Sequence, residues 1–163
     1  MSITSDYRIR GIPAEAFAEL RKQSRKELEE QGAVVYRVAE KPGFPCRVTL
    51  QDADVGGEVV LINYSHLKGR SPYAGSGPIF INLEATESYD RVGEIPPILR
   101  SRLISLRGFD STNMMLEANV VEGSIIENTI ARFFSNTDVT FLQAHTARRG
   151  CFLAQIDRCG DDR

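Results

Sequence analysis

The segment EVVLINY, residues 58–64, is a nearly continuous run of apolar side chains. A run of this length that is rich in valine and isoleucine is typical of a strand covered on both faces, so we expect it at the centre of a sheet. Gly56 and Gly57 precede the segment and predict a turn, because glycine adopts positive φ without a steric penalty. We therefore expect a sheet in which this segment has a neighbouring strand on each side.

Seven other segments carry similar side chains and predict further strands. They are AVVYRVAE (33–40), CRVTL (46–50), PIFINL (78–83), LISLRGFD (103–110), NMMLEANVV (113–121), VTFLQAH (139–145) and GCFLAQID (150–157). Short connections join most of these segments, which favours a mainly antiparallel sheet. Such a sheet can also curl into a partly closed barrel, and the sequence leaves this alternative open.

Two segments predict the main helices. Over residues 13–31, Pro13 suits the first turn and Gly32 is favourable just past the end. Over EGSIIENTIARFFSN, residues 122–136, apolar side chains recur on one side. A double proline predicts a third, short helix in EIPPILRSR. With a mainly antiparallel sheet, two main helices and one short helix, the fold class is α+β.

Length and composition limit the kind of protein. A chain of 163 residues predicts one domain over residues 1–163, in which residues 1–6 form a flexible tail. No apolar run approaches the roughly 18 residues of a membrane span, and the charged first residues do not resemble a secretory signal. We therefore expect a cytoplasmic protein. A net charge of −2 favours neither nucleic acid nor a membrane as a partner.

The three cysteines, Cys46, Cys151 and Cys159, form no CxxC pair, so structural disulfides are not expected in a cytoplasmic protein. His66 and His145 are the two histidines, and the five residues show no paired spacing of metal ligands. The sequence therefore predicts no metal site and no cofactor. It also matches no established catalytic or nucleotide-binding motif.

The segment KPGFPCR, residues 41–47, is restrained by two prolines around a glycine. It is expected to deliver Cys46 and Arg47 to the start of a strand in a fixed geometry, which suits a functional site. In the alternative interpretation, Phe44 fills the core and Cys46 is a small buried apolar residue, as free cysteines commonly are. We favour the second interpretation.

A long loop, SHLKGRSPYAGSGP over residues 65–78, is predicted between two apolar strands. Loops of this length in compact domains are often binding loops. His66, Arg70, Ser71 and Tyr73 offer hydrogen-bond donors for a polar or anionic ligand. An ordinary surface loop without a binding role explains the segment equally well.

The segment HTARRGCF is predicted to be a hairpin turn, and the length of its loop decides what His145 faces. A two-residue loop places His145 on the apolar face of Phe152. A three-residue loop that includes Gly150 shifts the register and places His145 on the face of Cys151 and Asp157. We prefer the three-residue loop, because glycine readily adopts positive φ.

Together, KPGFPCR, LINYSH, SPY, GPIFI, HTARRGCF and the DR pair at 157–158 resemble a bacterial family known as domain of unknown function 1203. The likeness extends over most of the chain from YRIRGIP onward, and the family has no assigned activity. Some members carry histidine where this chain has Gln143 and Gly77, which weakens any hypothesis of a histidine cluster or metal centre. Asp157 and Arg158 join the candidate ligand-binding residues on the ground of this resemblance. The family's signature segments contain Cys46, Arg47, His66, Ser71, Tyr73, His145, Cys151, Asp157 and Arg158.

Three functions fit these features. The preferred one is a binding module in which the long loop and nearby arginines hold a polar or anionic small molecule. The alternative is a thiol-dependent enzyme with Cys46 or Cys151 as nucleophile and His145 as base. In such an enzyme, Arg47 or Arg148 stabilises developing negative charge. The third is an interaction protein that forms a homo-oligomer through an exposed sheet edge.

Overall fold

Nine strands and four helices occur in residues 7–159, the part of the chain that the computed structural model describes. The strands are β1 (Tyr7–Arg10), β2 (Val34–Arg37), β3 (Glu58–Leu67), β4 (Gly75–Ile81), β5 (Asp90–Val92), β6 (Leu103–Phe109), β7 (Met115–Glu122), β8 (Phe141–Thr146) and β9 (Phe152–Arg158). The helices are α1 (Ala18–Arg21), α2 (Arg25–Glu30), α3 (Pro97–Arg100) and α4 (Ile126–Ser135). The flexible tail expected over residues 1–6 lies outside the described residues.

The strands form two antiparallel sheets. The larger sheet has the order β5-β1-β9-β8-β6-β7, and the smaller sheet has the order β2-β3-β4. The larger sheet stays open in the described part of the chain, with β5 and β7 at its edges. The predicted α+β class with mainly antiparallel strands is therefore confirmed, and the barrel alternative is not what the chain adopts.

The helix expected over residues 13–31 forms as two short helices, so its predicted extent is wrong. A turn of 3-10 helix leads into α1, and a new helix starts after Ser24. Ser24 Oγ accepts a hydrogen bond from the Glu27 N–H, and the Glu27 carboxylate accepts one from the Ser24 N–H. This reciprocal capping box starts α2 and interrupts the longer helix. None of the described helices is both long and apolar enough to cross a membrane.

The main core lies between α4 and one face of the larger sheet. Ile126, Ile130 and Phe133 are each 1% exposed or less, and they share an apolar cluster with Leu106 and Leu142 of the sheet. Their spacing is that of one helix face, which is why the sequence predicts this helix correctly. α3 also forms where the double proline predicts it.

The smaller sheet has β3 at its centre, as predicted. Val59 and Val60 are buried, whereas Asn63 and Ser65 are exposed, so β3 is covered on both faces only near its start. The strand then continues past the predicted end, and β4 starts before it is expected. The long loop predicted between them is therefore wrong in its extent, because only residues 68–74 connect the two strands.

The strand expected over CRVTL does not form. Cys46 makes an isolated bridge to Phe80, after which the chain turns and the Leu50 N–H donates to the Cys46 carbonyl at 3.0 Å. Leu50 has a φ of 53°, which no extended strand contains. The apolar side chains of the segment pack into the core, where Val48 and Leu50 are buried. Arg47 consequently lies in a turn.

Candidate functional site

A cleft of about 910 Å³ opens beside the smaller sheet. Its walls come from all three strands of that sheet, from the segment around residues 40–47, from the chain after α3 and from the turn between β8 and β9. Small-molecule sites have volumes of roughly 300–1,000 Å³, so this cleft is large enough for a metabolite. Three predicted site residues, Arg47, Arg148 and Cys151, line it.

Arg47 is the most buried charged residue of the cleft and is only 2% exposed. Its Nε donates to the Phe152 carbonyl at 2.8 Å, and its Nη1 donates to the Pro45 carbonyl at 2.5 Å. Within residues 7–159 no carboxylate pairs with Arg47, and three of its five N–H groups, on Nη1 and Nη2, have no protein acceptor. Burial lowers the pKa of Arg47 to about 10, so the guanidinium is charged at neutral pH.

Charged side chains of both signs surround the cleft. They are Arg47, Arg102, Arg148, Arg149, Glu40 and Glu122. Arg102 is neutralised by Asp52, which accepts two hydrogen bonds from it at 2.5 and 2.9 Å. Three arginines then stand against two glutamates, so the cleft has a small excess of positive charge. The Arg47 guanidinium is the least hydrated of these three charges, because Arg47 is buried whereas Arg148 and Arg149 are exposed.

Three aromatic side chains, Tyr36, Phe44 and Phe80, form one side of the cleft, which we call the aromatic wall. The ring centroids lie 5.2 Å apart for Phe44 and Phe80, 5.7 Å for Tyr36 and Phe80, and 6.4 Å for Tyr36 and Phe44. The wall adjoins Arg47, whose backbone N–H donates to the Phe80 carbonyl at 3.1 Å. A charged group and an apolar surface therefore lie side by side in the cleft.

The three thiols occupy different surroundings. Cys46 is 1% exposed, belongs to an apolar cluster, and its Sγ accepts a hydrogen bond from the Asn82 N–H at 3.3 Å. Cys151 is half-buried and lines the cleft, whereas Cys159 is exposed. In the core interpretation of KPGFPCR, the burial of Cys46 is confirmed, whereas the expected packing of Phe44 in the core is wrong, because its ring lines the cleft.

The turn between β8 and β9 differs in length from both expected loops. The Thr146 N–H donates to the Cys151 carbonyl at 2.9 Å, so the loop comprises residues 147–150 and is longer than predicted. His145 therefore lies opposite Phe152, and a bulge beyond this pair leaves Leu153 unpaired in β9 and places Ala154 opposite Ala144. His145 shares a face with Phe152, as the two-residue loop predicts, and Cys151 lies outside this pairing. The preferred three-residue register is therefore wrong at His145, and the two-residue register fails only beyond Phe152, where the bulge shifts the rest of β9.

The two histidines are neighbours, with ring centroids 4.9 Å apart. His145 is 1% exposed; its Nδ1 lies 3.0 Å from the Gly150 carbonyl and its Nε2 lies 3.1 Å from Gln143 Oε1. His66 Nδ1 lies 3.1 Å from the same Gln143 oxygen, and its ring stacks on Phe152. Burial lowers the pKa of both histidines, that of His145 to about 4. Within residues 7–159 neither histidine is hydrogen-bonded to a cysteine, and no group of three potential metal ligands forms.

The polar residues of the expected binding loop lie outside the cleft. Ser71 Oγ donates to the Asn113 carbonyl at 2.6 Å and ties this loop to the turn between β6 and β7. The Tyr73 ring meets Phe109 edge-on with centroids 6.3 Å apart, and Arg70 is exposed. None of these side chains lines the cleft, so the structure separates them from Arg47.

Asp157 and Arg158 also lie away from the cleft. Asp157 accepts hydrogen bonds from Arg10 at 3.3 Å and from Gln155 at 3.0 Å. Arg158 donates to backbone carbonyls at and just past the end of α4, including that of Val139 at 2.8 Å. These contacts fix the end of the helix, which is a structural role for Arg158.

Several cleft residues are absent from the sequence predictions. Phe80 and Tyr36 lie on predicted strands, and Arg102 follows the short helix α3. Period-two alternation in β4 gives a usable signal, because it places Pro78 and Phe80 on the same face. The pairing of Arg102 with Asp52 has no such signal, because the two residues are 50 positions apart.

A family model matches most of the chain. The model, described as Protein of unknown function (DUF1203), matches residues 43–158. This range contains every cleft residue except Tyr36, Glu40 and Pro42. Neither a curated protein nor a solved structure matches the chain. The family resemblance predicted from the sequence motifs is confirmed.

Proposed function

The chain belongs to the family described as Protein of unknown function (DUF1203), and we propose that it binds a small anionic molecule in the cleft at Arg47. One observation carries the proposal. Arg47 is a buried guanidinium that lines a cleft of ligand size and has no carboxylate partner within residues 7–159.

A buried charge without a counter-ion is unfavourable, because its lost hydration is not replaced by an opposite charge. The carbonyls of Phe152 and Pro45 replace part of that hydration but leave the positive charge in place. A carboxylate can accept two hydrogen bonds from Nη1 and Nη2 in a bidentate pair, which is stronger than hydrogen bonds between neutral groups. Exposed Arg148 and Arg149 add an attraction that guides anions toward the cleft.

The test is a calorimetric titration of benzoate, as a simple anionic probe, into the natural protein and into Arg47→Gln. Hydrogen bonds to a charged group contribute about 1.5–3 kcal/mol, so the variant is expected to bind benzoate roughly ten- to a hundredfold more weakly. Arg70→Gln is the matched control, because Arg70 is exposed and lies outside the cleft. It removes the same charge and is expected to leave the affinity unchanged.

A loss of binding in Arg47→Gln has to be separated from a loss of structure, because Arg47 also holds two carbonyls. Thermal unfolding of each variant, followed by circular dichroism, shows whether the variant is folded at the titration temperature. Arg148→Gln provides a second test at an exposed cleft position, where only a modest loss of affinity is expected. Equal affinities of the natural protein, Arg47→Gln and Arg70→Gln for benzoate contradict the proposal.

The thiol-enzyme alternative is supported by one observation, since Cys151 lines the same cleft as Arg47. It lacks a base in hydrogen-bond contact, because both ring nitrogens of His145 are directed at oxygen atoms. Cys46 is buried in an apolar cluster. Anion binding is therefore the better supported function.

A further inference from the structure

We propose that the ligand of this cleft is a planar aromatic ring that carries a single carboxylate. This ligand class rests on the proposed anion-binding function and adds two features to it. One is the aromatic nature of the part next to the anion, and the other is the number of negative charges. Each follows from side chains that line the cleft beside Arg47.

The aromatic wall supplies the first argument. Its rings are mutually inclined, at 51° for Tyr36 and Phe44, 55° for Phe44 and Phe80, and 88° for Tyr36 and Phe80. Because Tyr36 is 39% exposed and Phe44 and Phe80 are half-buried, the wall retains surface that a ligand can cover. Aromatic rings prefer offset or edge-to-face contacts with one another, and inclined rings offer both faces and edges.

The position of the wall relative to Arg47 supplies the second argument. The Arg47 N–H donates to the Phe80 carbonyl, and Arg47 Nη1 donates to the carbonyl of Pro45, the residue after Phe44. Arg47 is thus joined by hydrogen bonds to the backbone of Phe80 and to the backbone of the residue that follows Phe44. A carboxylate bound at Nη1 and Nη2 lies in the cleft that these rings also line, so a ring attached to the carboxylate has aromatic side chains in the same cavity to pack against.

The charges of the cleft supply the third argument. Glu40 and Glu122 line it, and Asp52 already neutralises Arg102. A ligand with several phosphates would bring its additional negative charges close to these glutamates, which is unfavourable. A single carboxylate uses the free N–H groups of Arg47 without this repulsion. The cleft of about 910 Å³ also has room for an uncharged body beside a single anionic group.

The experiment compares the affinities of benzoate and cyclohexanecarboxylate by calorimetry. The two anions have the same charge and a similar size, but only benzoate has a planar aromatic ring. Aromatic pairing adds a contribution that corresponds to about a two- to tenfold preference for benzoate. Phe44→Leu is expected to reduce this preference, and Phe141→Leu is the control, because Phe141 is a half-buried aromatic residue outside the cleft. Tyr36→Leu, at an exposed position, gives the same test if Phe44→Leu does not fold.

The outcomes separate this inference from the proposed function. A preference for benzoate that falls in Phe44→Leu or Tyr36→Leu and persists in Phe141→Leu supports the aromatic ligand. Equal affinities for the two carboxylates, both weakened in Arg47→Gln, overturn the aromatic class and leave the anion-binding function in place. Binding of inorganic phosphate more tightly than benzoate overturns the single-carboxylate class. Binding of none of the three anions, or binding that does not depend on Arg47, overturns both proposals.

Discussion

Replacement of Asp52 by alanine is expected to destabilise the protein strongly, because it leaves the charge of Arg102 without its partner. The two side chains are 6% and 16% exposed, and Arg102 Nη1 and Nη2 donate to Asp52 at 2.9 and 2.5 Å. Asp52 Oδ1 also accepts a hydrogen bond from the Gly43 N–H at 3.1 Å, so the carboxylate holds the segment that leads into the cleft. Three hydrogen bonds are lost together in Asp52→Ala.

The magnitude follows from the burial of the pair. Removal of one partner of a buried ion pair costs about 3–5 kcal/mol, and we expect the lower end, about 3 kcal/mol, since Arg102 retains some exposure and also donates to the Ile98 carbonyl. For a chain of this size, that corresponds to a decrease in Tm of roughly 6–12 °C. Burial by itself raises the pKa of Asp52, but the hydrogen bonds and charge of Arg102 outweigh it and lower the pKa below its ordinary value of 3.8. The stabilisation is therefore present at neutral pH and lost as the pH falls below 3.8.

The assay is urea denaturation followed by far-ultraviolet circular dichroism, since the chain contains no tryptophan for fluorescence. Asp54→Ala is the matched control, because Asp54 is in the same segment and pairs with Lys41 at 2.7 Å, but its side chain is 89% exposed. Its removal is expected to change the stability much less. A loss below about 1 kcal/mol in Asp52→Ala, or equal losses in the two variants, would falsify the argument from burial.

Three further predictions concern the fold. Gly123→Ala is expected to destabilise the protein by more than about 2 kcal/mol in urea denaturation, since a Cβ there would lie 1.6 Å from the Leu99 carbonyl oxygen; a stable variant contradicts that packing. Ser24→Ala is expected to cost about 1 kcal/mol through loss of the capping box, and an unchanged urea midpoint contradicts the cap. Because burial lowers the pKa of His145 from 6.5 to about 4, the unfolded chain binds a proton first, and stability is expected to fall by roughly 3 kcal/mol from pH 6.5 to 4. Urea denaturation of His145→Gln across this range should show a smaller fall, and an equal fall rules out His145 as its source.

The sequence predicts those elements whose pattern is repeated within one segment. The face of α4 with Ile126, Ile130 and Phe133 follows from helical spacing alone, and it is confirmed. The first helix shows a conflict between two local signals. Phe17, Leu20 and Leu28 keep a helical spacing on both sides of Ser24, whereas the capping box at Ser24 starts a new helix there. The turn at CRVTL could not be predicted, because leucine seldom adopts the positive φ that Leu50 has.

The candidate site is only partly predictable for a different reason. Arg47 is singled out by its restrained segment, and it does line the cleft. Within residues 7–159 it has no carboxylate partner, and Asp52, five positions along the chain, is instead bonded to Arg102, which is 50 positions from Asp52. The bulge that shifts the later part of β9 likewise arises within a paired strand and cannot be inferred from the composition of the segment. The local sequence pattern identifies residues whose chemistry suits a binding site. Which of them lie close together is determined by contacts between segments that are distant in the sequence.

The most direct test of anion binding in the cleft is the protection of Cys151 from alkylation by N-ethylmaleimide, an uncharged reagent, in the natural protein. Cys151 lines the cleft and is half-buried, and exposed Cys159 outside the cleft serves as an internal control in the same sample. With benzoate at ten times its Kd, we predict that alkylation of Cys151 slows about tenfold, in proportion to the unoccupied fraction, while that of Cys159 does not change. Alkylation of Cys151 at the same rate with and without bound benzoate would contradict the location of the anion site.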